Sequence, residues 1–280
     1  MNENVSLVIP VYNASITIKD VIESALVQTH KFDEIIVVDD SSTDNSCDIV
    51  NKFDNVLLIK NYENKGLSKS RNIGIKKSKN NIIACIDSDV LLEKFWLEKI
   101  IKFLKSDDTV LCGGKLIEKY LANNYNNWRA LRYKQNWGNS NITNPPFIFG
   151  CNFVLFKTSW EKVNGFNEEL KTNGEDIDYS IKIRESGLNT KYCHEAICYH
   201  LQNDSIISLS KRVWRYHSFG YKIKKISFFR FIRLIIKQFN FLVKRMAEDL
   251  IKLRFIYFYI NILVFFNFIF LELQRLIKNK

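Results

Sequence analysis

The strongest constraint on this chain is an alternation that runs through its first 90 residues. Four short apolar runs rich in β-branched residues, Val5–Val11, Glu34–Val38, Val56–Lys60 and Ile82–Ile86, read as strands. Helical patterns separate them. Ile16–Gln28 carries Ile18, Val21, Ile22, Ala25 and Leu26 at helical spacing, a second helix starts near Asn45, and a third covers Leu67–Lys77. Unbroken apolar strands alternating with helices specify a mostly parallel sheet, because the helical crossovers bury both faces of it. The fold class expected is therefore α/β. Polar clusters follow two of these strands directly, Asp39-Asp40-Ser41-Ser42-Thr43-Asp44 and Asp87-Ser88-Asp89. Such clusters lie at the carboxyl ends of the strands, where open α/β sheets hold ligands.

Residues 94–205 continue less regularly. A helix is expected near Phe95–Leu104, a strand over Val110–Glu118, a polar Asn-rich stretch around 122–144, an apolar run over Phe147–Phe156 and a helix from about Asp176 to Ser186. No internal repeat is visible.

Charge divides the chain. The formal net charge is +11, yet residues 208–280 hold 16 Lys and Arg against 3 Asp and Glu, leaving 25 against 27 in residues 1–207. A near-neutral body with a basic tail argues against a uniformly basic nucleic-acid binder and leaves nucleic-acid binding through the tail as a rival reading. With 46% hydrophobic residues the chain can bury a sizeable core, and 3 Pro and 10 Gly exclude collagen-like and Pro/Gly-rich classes. None of the six cysteines forms a CxxC pair. Reduced, structural thiols in a cytosolic setting are expected. Met1-Asn2-Glu3-Asn4 lacks a basic start followed by an apolar segment, so no secretory leader is expected.

Several short motifs carry possible chemistry. Asp87-Ser88-Asp89 puts two carboxylates on a tight turn, which suits a hard divalent cation that also binds phosphate oxygens; a solvated acidic turn would read the same. Asp39-Asp40 can accept hydrogen bonds from a base or a ribose, or simply cap the following helix. Acidic pairs after an early strand also occur in phosphorelay receiver domains. Asn64-Lys65-Gly66 opens a helix bearing Arg71, whose guanidinium suits phosphate, but the dinucleotide and P-loop glycine fingerprints are missing. Gly174-Glu175-Asp176-Ile177-Asp178 sets carboxylates at a helix start, favoured by the helix dipole and equally suited to a general base on a rigid support. His200 lies in a strand-like stretch, where a plain structural role is the simplest reading.

In order and spacing these pieces resemble the family-2 glycosyltransferases. The resemblance runs through Val5–Asn13, Val37–Asp44, Asn64…Gly66…Arg71-Asn72 and Asp87-Ser88-Asp89, then through Gly165-Phe166-Asn167-Glu168 and Gly174–Asp178, and so covers roughly residues 4–205. It implies a GT-A fold (Rossmann-like, mostly parallel), a nucleotide-diphosphate-sugar donor with UDP-sugars foremost, Mn²⁺ or Mg²⁺, and inversion at the anomeric carbon. It implies that Pro10, Tyr12 and Asp40, with Asp39 beside it, frame the base. Arg71 would lie near base and ribose, Asp87 near the ribose, and Asp89 on the metal with His200 as a further ligand. Asp176 would be the general base, with Glu175 and Asn152 on the acceptor side. The acceptor implied is a glycan or a lipid-linked sugar in envelope polysaccharide or glycolipid synthesis. A catalytically silent GT-A protein that binds nucleotide sugar or glycan is the alternative, and a nucleotidyltransferase is disfavoured because the Gly-rich start after the first strand is absent.

The division expected is a domain over 1–205, with a nucleotide-sugar half (1–105) and an acceptor half (106–205), and a helical tail over 206–280. In Ile226–Arg245, Arg230, Arg233, Lys237 and Lys244 fall on one helical stripe among Phe, Ile and Leu, the profile of a helix in an anionic membrane interface. Phe255–Leu271 then runs 17 residues without a charge, at the lower limit for a span. Membrane attachment at the cytoplasmic face is the expectation, as a span or as an interfacial anchor.

Overall fold

The computed structural model describes residues 3–105, 108–218 and 227–278. The elements in chain order begin with β1 (Val5–Val11), α1 (Ile18–Leu26), β2 (Glu34–Asp39), α2 (Ser46–Val50), β3 (Val56–Lys60), α3 (Leu67–Lys77) and β4 (Ile82–Ile86). There follow β5 (Val90–Leu92), α4 (Trp96–Leu104), β6 (Thr109–Glu118), α5 (Asn124–Arg132), β7 (Ile142–Thr143), β8 (Asn152–Phe156) and α6 (Lys157–Lys162). The last five are α7 (Glu175–Glu185), β9 (Asn189–His200), α8 (Ile206–Ser218), α9 (Phe228–Ile251) and α10 (Phe255–Lys278). They form two compact units, Met1–Lys119 with Gln135–Leu201, and Tyr120–Lys134 with Gln202–Lys280.

The first unit is the sheet. Its strand order is β3-β2-β1-β4-β8-β6-β9-β5, with β7 on β9. β1 pairs in parallel with both β2 and β4, and β2 with β3, so the first half is the parallel sheet expected from the sequence. β1 shows why: every one of its residues is buried, as a strand covered by helices on both faces must be. One core layer gathers Leu7, Ile9, Ile18, Val21, Ile22, Val37, Ala84, Trp96 and Ile100; the other face gathers Val8, Ile75, Cys85, Phe153, Phe166 and Tyr179. The second half turns antiparallel, β8 pairing with both β4 and β6, while β6 and β9 run parallel. All six cysteines are free.

The second unit is helical. α5, α8 and α10 surround a core of Trp128, Leu209, Val213, Ile260 and Val264. The Asn-rich stretch around 122–144 thus contains a helix, α5, and residues 120–134 pack with the tail rather than with the sheet. Apolar periodicity misses α5 because two of its buried residues are Asn126 and Arg129. The tail helices run beyond the apolar segments read from sequence, to Ile251 and Lys278. Ile226, the first residue of the expected amphipathic stripe, lies outside the described residues.

Candidate active site

The carboxyl end of β4 is the origin of the site. β4 and β8 are antiparallel with Ile86 opposite Asn152, and the ladder continues as the Asp87 N–H donates to the Cys151 carbonyl at 3.0 Å. Gly150, two residues before β8, is thereby carried alongside the Asp87-Ser88-Asp89 turn. From the opposite side comes the amino end of α7, where Gly174, at φ 86°, sets Glu175 and Asp176 in the first turn.

Arg71 joins these pieces. Its side chain is fully buried and donates to Glu175 Oε1 at 2.6 Å, to Asp87 Oδ1 at 2.7 Å and to the Gly150 carbonyl at 2.5 Å. The Phe153 and Phe166 rings flank its guanidinium at 5.7 Å. Burial disfavours this cation, but Asp87 and Glu175 outweigh that and hold its pKa above the usual arginine range. Sequence resemblance puts Arg71 near base and ribose; in the structure its guanidinium is taken up by protein partners.

Asp176 accepts the Gly150 N–H on Oδ2 at 3.0 Å. Burial, then the neighbouring Glu175 charge, push its carboxyl up to about 7, with the Gly150 N–H pulling the other way. Burial also raises Asp87 to about 6, opposed by Arg71 and aided by Asp89 and Glu175. A small, mostly apolar cleft lined by Leu111, Ile148, Phe153, Phe166 and Tyr179 lies beside Asp176. This apolar wall is a physical reason for the raised carboxyl.

The second carboxylate of the turn faces β9. Asp89 Oδ2 lies 3.2 Å from His200 Nε2, and Glu118 Oε2 lies 3.1 Å from His200 Nδ1. Burial alone would depress the imidazole, but the two carboxylates raise it to about 9. Glu118 gives no signal in the sequence; it arrives only because β6 and β9 pair in parallel with Glu118 opposite His200. Among the described residues no three His, Cys, Asp or Glu side chains form a ready-made metal cage. The donor set fits a hard cation that takes only part of its shell from protein, provided that the cation displaces the proton from His200 Nε2. A carboxylate and a buried imidazole point at one another, and a second carboxylate backs the far ring nitrogen, the arrangement that orients metal-bound histidine.

At the β1 and β2 ends, Tyr12 is 53% exposed and Pro10 is buried. Asp40 is consumed by the loop before α3, accepting from Asn61 Nδ2 at 2.8 Å, Lys65 N at 2.9 Å and Gly66 N at 2.8 Å. Asp39 accepts the Ser42 N–H on Oδ2 while its Oδ1 is buried and unpartnered. Of the acidic pair, Asp39 is therefore the one with spare capacity. Asn152 is fully buried, accepting from Trp96 Nε1 at 3.3 Å, so its amide faces the core and not an acceptor. Asn72 bonds the Phe166 backbone from both sides, its Oδ1 accepting at 3.0 Å and its Nδ2 donating at 2.9 Å, and so holds the loop that leads to α7.

Sheet order and site together define a GT-A fold. The chain is similar in structure to a mannosyltransferase from Pyrobaculum calidifontis, solved with GDP-Man and Mn²⁺, at TM-score 0.63 and 16% identity over 94% of this chain and 85% of that one. It is similar also to S. aureus TarS, at TM-score 0.54 and 18% identity over 78% of this chain and 41% of that one. The model described as Glycosyl transferase family 2 matches residues 6–163, more than half of the chain, and the chain belongs to that family. A second model, described as the N-terminal domain of galactosyltransferase, matches residues 143–204.

Among curated relatives, the chain is 47% identical over 89 residues to the UDP-Glc:alpha-D-GlcNAc-diphosphoundecaprenol beta-1,3-glucosyltransferase WfaP of Escherichia coli, covering 31% of this chain and 36% of that protein. It is 30% identical over 224 residues to chondroitin synthase of Pasteurella multocida, 73% of this chain and 22% of that protein. The chain thus spans only about a third or less of these two relatives.

Proposed function

We propose that this chain is an inverting glycosyltransferase that moves a sugar from a nucleotide-diphosphate donor, UDP-sugars foremost, onto a hydroxyl of a glycan or lipid-linked acceptor. The observation that carries this reading is Asp176. A carboxyl raised to about 7 and fixed by the Gly150 N–H is matched to taking a proton near neutral pH. In the proposed step Asp176 accepts the acceptor hydroxyl proton while that oxygen bonds to the anomeric carbon. The bond from that carbon to the diphosphate breaks on the opposite face, and the electron pair leaves with the nucleoside diphosphate. Arg71 keeps Glu175 and Gly150 in place around the base, so the proton-taking oxygen has one position.

Asp89 and His200, backed by Glu118, would hold Mn²⁺ or Mg²⁺. Bound there, the cation would neutralise charge on the departing diphosphate. Tyr12, exposed at the end of β1, is available to stack on the base, and Asp39 Oδ1 to accept from it. In this reading residues 1–205 carry the transfer, and 206–280 attach the chain to the cytoplasmic face of an anionic membrane during envelope polysaccharide or glycolipid synthesis. Support for the acceptor class comes from WfaP, whose name gives a UDP-Glc donor and a diphosphoundecaprenol-linked acceptor. Support for attachment comes from α10, where an 18-residue window within Phe255–Ile277 has a mean hydropathy of 1.9.

A panel of nucleotide sugars with Mn²⁺, scored by released nucleoside diphosphate and by thermal protection, tests the reading. Release and protection with one donor, with release lost and protection kept in Asp176→Asn, support it. Protection by a donor with no turnover by any acceptor hydroxyl would instead mark a binding protein.

A further inference from the structure

The helical tail carries two apolar seams that nothing within its own unit covers. On α9, Phe229, Ile232, Ile236, Phe239 and Val243 recur at alternating steps of three and four, and all are exposed, Phe229 at 86%. On α10, Ile256, Tyr259, Leu263, Phe266, Phe270, Leu273 and Ile277 keep the same spacing, with Tyr259 64% and Phe266 63% exposed. The opposite face of α10 is buried through Ile260, Val264 and Phe268. Each helix therefore has one docked side and one bare, aromatic-rich side.

Two further observations indicate what covers the bare side. First, Arg230, Arg233, Lys237 and Lys244 are exposed and lie one position beyond the α9 seam, edging it with cations. From residue 205 to 247 there are eleven Lys and Arg and no Asp or Glu. An apolar stripe edged only by positive charge complements an anionic lipid surface. Second, the docked side of α10 is polar in a way that hydrocarbon would not accept. Asn261 accepts from Trp128 Nε1 at 2.9 Å and donates to Asp249 Oδ2 at 2.7 Å, while Arg132 donates to Asp249 Oδ1 at 2.5 Å. Glu272 is also buried on this helix. Crossing a bilayer would strip α10 from these partners and leave Asn261 and Glu272 facing lipid.

We propose that α9 and α10 lie in the plane of an anionic membrane, their seams in the acyl layer and their docked faces kept on the protein, and that α10 does not cross. This rests on the membrane part of the proposed function and decides between the span and the interfacial anchor that the sequence leaves open.

Two measurements on the full chain test it. The first is partitioning onto vesicles of phosphatidylglycerol and phosphatidylcholine, or of phosphatidylcholine alone. Binding only with the anionic lipid is expected, weakened roughly thirty-fold by Arg233→Gln with Lys237→Gln, at about 1 kcal/mol per cation. The second is protease digestion of tags placed before Met1 and after Lys280 in sealed, inverted cell membranes. Loss of both tags from the same side is expected. A protected C-terminal tag would make α10 a span and overturn the proposal. So would a chain that ignores both vesicles and sediments as a dimer, since seams at this spacing also suit a second copy. Release of nucleoside diphosphate from a soluble donor without vesicles is followed in parallel, so failure of the anchor and failure of the transferase reading are told apart.

Discussion

Gly150 and Asp176 are locked together through the Gly150 backbone, whose N–H reaches Asp176 Oδ2 at 3.0 Å while its carbonyl accepts from Arg71 at 2.5 Å. Space for a side chain is tight here. A Cβ on residue 150 would stand 3.1 Å from Asp176 Cβ, 3.2 Å from Arg71 Nη1 and 3.2 Å from Glu175 Oε1. Gly150→Ala must therefore shift either the base or the arginine. We expect kcat to fall about tenfold, less than the roughly hundredfold that a displacement of about 1 Å produces, because these contacts call for a shift of only a few tenths of an ångström, with the donor KM little changed. A kcat within twofold of the parent would show that the Gly150 contact does not set the position of Asp176.

The pH profile follows from the sign of the Asp176 shift. The active form is the carboxylate, and burial beside Glu175 holds its pKa at about 7, so kcat/KM should fall about tenfold per pH unit below that value. Asp176→Asn should remove this limb and lower kcat about 10²- to 10⁴-fold. The carboxyl is raised above its unfolded value, so its contribution to stability is present below about 4 and is lost as pH rises through 7. Activity and this group's stability contribution should then move in opposite directions with pH, which urea titrations at pH 5 and pH 8 on parent and Asp176→Asn can compare. A flat kcat/KM between pH 5 and 8 would remove Asp176 as the base.

How much of this was legible in sequence divides along contact distance. The strands β1 to β4 and helix α3 could be read because each is a local pattern of apolar residues, and Asp87, Asp89 and Asp176 because each sits at the end of such an element. Glu118 could not be read, since only the β6–β9 pairing brings it to His200, 82 positions away. Nor could the difference between Asp39 and Asp40 be read, because it is made by the amides of Lys65 and Gly66, 25 and 26 residues on. Arg71 was legible as a cation but not as a buried one, because its partners Asp87, Gly150 and Glu175 come from three other segments.

Arg71→Met tests that burial. The substitution keeps most of the apolar contact with Phe153 and Phe166 but leaves Glu175, and Asp87 with it, short of their cation. Removing one member of a buried ion pair typically destabilises by about 3–5 kcal/mol. Here the lower part of that range is expected, because the Asp87 side chain is 31% exposed. The midpoint of urea unfolding should drop accordingly, and Glu175→Gln in the same chain should recover part of the loss. If Arg71 instead served only to bind the donor, the midpoint would hold and the donor KM alone would rise.

Glu118 offers a test of the metal site that leaves Asp89 and His200 untouched. It lies 3.1 Å from His200 Nδ1, on the side of the ring away from Asp89, so it backs the imidazole from behind. In Glu118→Gln the imidazole keeps a hydrogen-bond partner but loses the charge that orients it and makes its other nitrogen more basic. Loss of such a backing carboxylate weakens metal binding about 10- to 100-fold. The Mn²⁺ concentration for half-maximal release of nucleoside diphosphate should rise by that factor, with near-parental turnover restored at saturating Mn²⁺. EDTA should abolish turnover in both proteins, and Mn²⁺ should restore it in both. Equal Mn²⁺ requirements in parent and Glu118→Gln would separate His200 from the metal and leave Asp89 to hold it without the imidazole.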